Sequence, residues 1–179
     1  MREVTVAVFA GGCFWCTEAI FRELQGVLSV ESGYIGGETV NPTYEEVCAG
    51  GTGHAEAIRI EYDPELISFE TLLEVHFGTH DPTQLNRQGN DVGTQYRSAI
   101  FPQNDQQRKL SALALVAVNR SGAWSEPVVT SIEDASAFCV AELAHQNYFG
   151  RMSDQPFCEI VIAPKLAKFR KIFKDLLKG

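Results

Sequence analysis

The stretch EVTVAVFAGGCFWCTEAIFRELQ, residues 3–25, decides how the chain begins to fold. Its opening EVTVAVFA (3–10) is rich in valine and has no helical period, which predicts a buried strand. Gly11 and Gly12 stop it. A helix is predicted from Cys13 to about Gln25, because Cys13, Cys16, Ile20 and Leu24 recur at spacings of three and four along one stripe. Strand, glycine turn and helix start together place Cys13 at a helix N-terminus. There the helix dipole and free backbone N–H groups favour a thiolate. Cys16 follows one turn later, its Cα about 5 Å away and within disulfide reach.

The rest of the chain sets bounds on what such thiols can do. With 179 residues, 45% of them hydrophobic, the chain suits one globular domain, 1–179, with a sizeable core. Fifteen basic residues against 23 acidic give a net charge of -8, which argues against nucleic acid or an anionic membrane as partner. Five cysteines are an odd number for a disulfide framework, so a reducing, cytoplasmic setting is expected. Only about eight apolar residues, with Arg2 ahead of them, precede the glycines, short for a secretory leader, and Ala10 is a poor match to a lipoprotein cleavage site. No stretch approaches the ~18 apolar residues of a membrane span.

Further along, VLSVESGYIGG predicts a strand running into a turn, and NPTYEEVCAGGTGH a loop with a short helical turn. AEAIRIEYDP (55–64) alternates, with Glu56, Ile58, Ile60 and Tyr62 on one face and Ala57, Arg59 and Glu61 on the other. SFETLLEVHFG predicts a helix capped by Ser68 and ended by Gly78. Residues 79–94 are polar without periodicity, a loop long enough to be functional. QYRSAIF and EPVVTSI predict strands flanking a helix in PQNDQQRKLSALALVAVNRSG, with Pro102 near its start. Residues 133–149 are ambiguous and end in a helical AELAHQNYF. CEIVIAP predicts a last short strand, and KLAKFRKIFKDLLKG an amphipathic helix with Leu166, Phe169, Ile172, Phe173 and Leu176 on one side. The mixture predicts one α+β domain with a mixed sheet and long functional loops.

The CxxC pair admits several chemistries. It can cycle between dithiol and disulfide, its second thiol capturing the first after oxidation. It can also be half of a zinc site, but the further ligands on offer, Cys48, His54, His76 and His80, include no second CxxC, so no metal is expected. Glu142 and His145 have the spacing of half a di-iron site without the matching half, and AGGTGH lacks the Lys of a phosphate loop. Cys48 and Cys139 read as packing residues. Glu56 is the more telling residue. Alternation puts it on the face that must be buried, and burial without a cation keeps a carboxyl protonated near neutrality. A neutral acid can donate a proton, whereas a strand-end glutamate in water does not. Polar loops add Tyr44, Asp91 and Tyr96. Thiolate, spare thiol and buried acid suit attack on sulfur with protonation of a departing oxygen, as in sulfoxide reduction.

Here the residues carry a resemblance. GGCFWCTEAIF, NPTYEEVCAGGTGHAEA, HDPTQLNRQGNDVGTQYRSAIF, AELAHQNYF and QPFCEIVIAPKLAKF together resemble the peptide methionine sulfoxide reductase A family over nearly the whole chain. The resemblance implies a two-layer α/β sandwich around a mixed sheet. It implies Cys13 as catalytic cysteine, Phe14 and Trp15 as an aromatic methyl pocket, and Glu56 as proton donor. Tyr44 and Tyr96 would hold the sulfoxide oxygen, with Asp91 as supporting acid. The implied substrate is the S epimer of methionine S-oxide, free or in proteins, and the enzyme would be regenerated through a disulfide by thioredoxin, with no cofactor. Two features depart from the family pattern: position 16 is usually glycine there, and this chain has no cysteine after Cys158. Cys16 is therefore taken as the resolving thiol, with Cys158 second. The competing class is a thioredoxin-like disulfide exchanger built on Cys13 and Cys16, for which EPVVT offers Pro127 before a strand. Such an exchanger has no use for Glu56 or the loop around NRQGNDVGTQYRS.

Overall fold

The computed structural model describes residues 3–179; Met1 and Arg2, the charge ahead of the short apolar run included, lie outside them. Strand β1 spans Thr5–Ala10, and helix α1, Phe14–Phe21, follows with Cys13 as its N-cap. Gly12 makes the turn at φ 88, where a side chain would also meet Gln88 Cγ at 2.8 Å. Strand β2, Val27–Ile35, leads through a loop to the short helix α2, Tyr44–Ala49. A capping box starts α2: Thr43 Oγ1 accepts from the Glu46 backbone N–H at 3.2 Å, and Glu46 Oε1 accepts from that of Thr43 at 3.0 Å. Strand β3, Ala55–Tyr62, pairs antiparallel with both β1 and β2.

Helix α3, Phe69–Thr79, is capped by Ser68 as expected but runs through Gly78 instead of ending there. Gly78 is small for packing, since a Cβ there would lie 2.8 Å from the Phe173 ring. The polar loop that follows holds a two-stranded hairpin, β4 (Arg87–Gln88) against β5 (Asp91–Val92). Of the predicted QYRSAIF strand only β6, Ala99–Ile100, is extended; Thr94–Tyr96 is a 3-10 turn. Helix α4 spans Asp105–Ser121, and β7, Ser131–Ile132, is all that forms of the EPVVTSI strand. Strand β8, Cys139–Val140, resolves part of the ambiguous stretch, followed by helix α5, Tyr148–Arg151.

CEIVIAP is not a strand. Cys158–Ile162 is a π-helical stretch continuing into helix α6, Ala163–Ile172. A strand would put Cys158, Ile160 and Ile162 on one face, but Cys158 and Ile162 are buried while Ile160 is 72% exposed. The period is four, extended by Leu166 and Phe169, both 2% exposed. On the amphipathic face, Ile172 is an exception at 56% exposed.

The main sheet has the order β7-β6-β1-β3-β2-β8, parallel only between β6 and β7. Helices α1, α3 and α6 cover the face carrying Phe9, Ile58, Ile60 and Tyr62. Val8, Ala10, Ala55 and Ala57 on the other face pack with Phe101 and Phe138. The result is the expected α+β two-layer sandwich around a mixed sheet. Glu56 shares the helix-covered face, under the start of α1.

Candidate active site

Cys13 ends a strand–turn unit and starts a helix, and its carbonyl accepts from the backbone N–H of Cys16 at 3.1 Å. Glu56 is 1% exposed beneath it. Glu56 Oε1 accepts the Phe14 backbone N–H at 3.1 Å, while Oε2 has no hydrogen-bond partner among the described residues. Desolvation pushes the carboxyl up to about 8, against the lowering effect of the Phe14 bond, with Asp91 and Cys16 adding to the rise. At neutral pH this acid carries its proton, as strand alternation predicted.

The two thiols are shifted in opposite directions, and the helix-start cysteine is not the one that is lowered. Cys13 is pushed well above the ordinary thiol value, first because it donates to Cys16, then by burial and by Glu56. Cys16 moves the other way: the Cys13 hydrogen bond and the Lys165 ammonium lower it despite burial. The two thiols titrate as a linked pair, with Cys13 drawn up and Cys16 drawn down. The helix start does not set the Cys13 thiol alone, because the bond to Cys16, burial and Glu56 all raise it.

Tyr44, at the first position of α2, and Tyr96, in the 3-10 turn, are both half-buried, and burial raises both phenols, so both hydroxyls keep their protons. Cys48 lies beside both, and their hydroxyls draw its thiol down against the effect of burial. Cys48 is exposed on α2, so the expectation that it packs in the core is corrected. Cys139 is half-buried at the sheet edge. Asp91 stands on β5, its carboxyl raised by partial burial and drawn back by Lys165. The hairpin is held in place by Gln88, whose side chain accepts from Asp81 N and donates to Asp81 O, each at 2.9 Å. Arg97, next to Tyr96, is clamped on Glu133 at 2.8 and 3.0 Å.

Phe14 is fully buried and tilts against Tyr34 at 5.7 Å between ring centres, while Trp15 lies partly buried at the rim. Trp15 stacks on Tyr148 at 3.8 Å and 9°, and its Nε1–H donates to His145 Nδ1 at 3.2 Å. His145 also lies 4.2 Å from the Tyr44 ring. Glu142 accepts from Tyr34 Oη and from Tyr44 N, each at 3.0 Å. Glu142 and His145 thus belong to the walls of this site. The four further residues weighed as zinc ligands are dispersed: Cys48 faces the tyrosines, His54 bonds Gly37 N and Thr39 O, and His76 and His80 lie behind α1. Cys158 is fully buried, packed with Cys16, Ala19 and Ile162. An apolar groove of about 580 Å³ between α3 and α4 holds none of these residues.

The site therefore joins a linked thiol pair, a protonated acid, two phenols and an aromatic wall. The residue pattern had marked the thiols, the acid and the phenols, and the resemblance Phe14 and Trp15, but neither marked Cys48, Glu142, His145 and Tyr148 as neighbours. The spacing in AELAHQNYF was the only trace of Glu142, His145 and Tyr148, and Cys48 had been read for packing.

A family model described as peptide methionine sulfoxide reductase matches residues 5–177. The chain is 54% identical over 172 residues to "Peptide methionine sulfoxide reductase MsrA" of Deinococcus radiodurans, covering 96% of this chain and 84% of that protein. It is 55% identical over 168 residues to the protein of that name from Erwinia tasmaniensis, covering 93% of each. Among solved structures, Mxr1 from Saccharomyces cerevisiae in reduced form superposes with a TM-score of 0.81 at 32% identity, over 87% of this chain and 90% of that one. Mxr1 in complex with Trx2 shares the fold, with a TM-score of 0.58 at 24% identity over 82% and 85%.

Proposed function

We propose, on the premise that this chain belongs to the peptide methionine sulfoxide reductase family, that Cys13 reduces methionine S-sulfoxide, free or within proteins, with Glu56 as proton donor. Membership makes the chain an oxidoreductase, a peptide-methionine (S)-S-oxide reductase. The proposal treats residues 1–179 as one catalytic domain.

In the first half-reaction Cys13 Sγ attacks the sulfoxide sulfur and passes its proton to the Cys16 thiolate. Glu56 protonates the oxygen, which moves to Cys13 as methionine leaves, and Cys13 is left as a sulfenic acid. Tyr44 and Tyr96 donate hydrogen bonds to that oxygen, and the negative charge of Asp91 helps hold the proton on Glu56 until then. Trp15 at the rim, over the buried Phe14, offers apolar surface to the methyl group. In the second half-reaction Cys16 condenses with the sulfenic acid to a disulfide. An external dithiol then reduces that disulfide. Thioredoxin is the proposed partner, in a reducing, cytoplasmic compartment, and the capture of the similar Mxr1 with Trx2 supports it. No helix among the described residues is long and apolar enough to cross a membrane.

One observation carries the mechanism: a carboxyl 1% exposed, with one oxygen unpartnered, sits under the helix start that presents Cys13. A disulfide exchanger needs no such acid. The test offers racemic methyl p-tolyl sulfoxide with dithiothreitol and follows each enantiomer. Loss of the S form alone is expected; consumption of neither would reduce the protein to an exchanger. Peptide mapping after one stoichiometric turnover is expected to find Cys13 bonded to Cys16, and a Cys13–Cys158 bond would transfer the resolving role.

A further inference from the structure

Cys16 has two faces. One meets the Cys13 thiol. The other lines a cavity of about 10 Å³ between α1, α3 and α6, walled also by Thr17, His76, Thr79, His80 and Lys165. That is room for one water. His76 is 1% exposed, and its Nε2 has no hydrogen-bond partner among the described residues. The His76 ring borders the cavity: Cε1, the atom bonded to that nitrogen, lies 3.2 Å from where a Cβ on Gly11, part of the same wall, would stand. A buried polar atom without a partner is rare and costly, so the position calls for a polar occupant. His80 has none to spare, since its ring nitrogens meet the His76 carbonyl and Ser98 Oγ. Thr17 and Thr79 donate their hydroxyl protons to Cys13 O and Val75 O and keep lone pairs free. A water there has His76 Nε2, Cys16 Sγ and two hydroxyl oxygens to bind.

We propose that this chamber serves the second thiol: a water held by His76, with the Lys165 ammonium at the cavity wall, stabilises the Cys16 thiolate and carries its proton out to solvent. The proposal rests on the reading of Cys13 as sulfoxide nucleophile and Cys16 as resolving thiol. His76 and Lys165 are positioning residues, because neither meets the sulfoxide. Their step comes after methionine has left, when Cys16 holds the proton it took from Cys13. That proton passes to the chamber water and out past the exposed Lys165. The thiolate attacks Cys13 Sγ, the S–S bond forms and the S–O bond breaks. The departing hydroxyl takes a proton from Glu56, itself reprotonated from solvent. In sum, thiol and sulfenic acid give disulfide and one water, the Cys16 sulfur being oxidised as the Cys13 sulfur is reduced.

The ionisable groups facing Cys16 are Cys13 on its own helix, Glu56 from β3, Asp91 from the hairpin, His76 and His80 from α3, and Cys158 and Lys165 from the C-terminal helix. Burial lowers both histidines, His80 to about 4, so both are neutral at working pH. Among these groups Lys165 carries the positive charge.

Two measurements test the chamber. The first uses a Cys13→Ser chain and follows the rate of Cys16 modification by methyl methanethiosulfonate against pH, located by peptide mapping. Adding Lys165→Met is expected to raise the midpoint by about one unit, Lys165→Arg to restore it, and His76→Phe to raise it as Lys165→Met does. The second uses the chain with both thiols after one stoichiometric turnover. Closure of the Cys13–Cys16 disulfide is expected to slow about tenfold in Lys165→Met and in His76→Phe. Lys165 is on the surface, so its variant folds and carries the test even if His76→Phe does not. Either readout unmoved in Lys165→Met overturns the proposal. Absence of methionine from the first turnover of the unsubstituted chain would instead defeat the sulfoxide mechanism, whereas the modification profile needs no sulfoxide and judges the chamber alone.

Discussion

Glu56 is where one residue's environment becomes chemistry. Its folded value of about 8 lies above the ordinary 4.5, so the folded state keeps a proton that the unfolded chain releases in between. Stability therefore falls as pH rises through that window, the opposite of a salt-bridged carboxylate. By about pH 7 the cost is ~3 kcal/mol. Glu56→Gln is expected to raise unfolding free energy by about that much in urea at neutral pH and to change little near pH 4. The same change is expected to slow sulfoxide reduction by roughly 100-fold or more, and to abolish the loss of rate above about pH 8 that the native acid imposes. Unaltered turnover would remove Glu56 from the mechanism. Cys48 teaches the converse. An apolar neighbourhood in sequence, Val47 beside it, suggested packing, but the helix turns Val47 inward and Cys48 out towards two tyrosines.

At the scale of elements, legibility follows local rules. Strand β3 and helix α1 were readable because period two and a glycine stop are written into consecutive residues. The capped helices were readable for the same reason. Thr43→Ala removes the cap of α2 and is expected to cost about 1 kcal/mol in thermal or denaturant unfolding. Because α2 carries Tyr44 at its first turn, the same variant is expected to lose sulfoxide turnover; a stability loss without it would separate the helix from the site. The π-helical stretch at Cys158–Ile162 defeated the pattern because a four-residue apolar run fits either period. What decides it is that one side rests on Cys16 and Ala19 while Ile160 faces water. Strands β6 and β7 were legible in place but not in length, and β8 not at all, since pairs of residues extend only because a neighbouring strand bonds them.

Across the whole molecule, the C-terminal helix is the roof over the second thiol. Phe169, 2% exposed in the main core, holds that helix on the sheet layer. Phe169→Ala is expected to cost about 3–5 kcal/mol in urea unfolding and to open Cys16 to alkylation in the folded state. Loss of stability with Cys16 still protected would mean that α1 shields the thiol unaided. Long-range contacts also build the aromatic wall, where Trp15 and His145 meet across 130 residues of chain.

The sequence by itself determined that a thiol begins a helix after a glycine turn, that a second thiol lies one turn on, and that an acid shares a buried strand face. Those are matters of period and spacing between neighbours, and local sterics enforce them. Only the tertiary structure decided that the two thiols titrate as a linked pair, which residues from distant segments wall the site, and that a histidine and a lysine stand behind Cys16. Each of these depends on desolvation and on charges that segments far apart in the chain bring to one place, and neither quantity exists until the chain has packed.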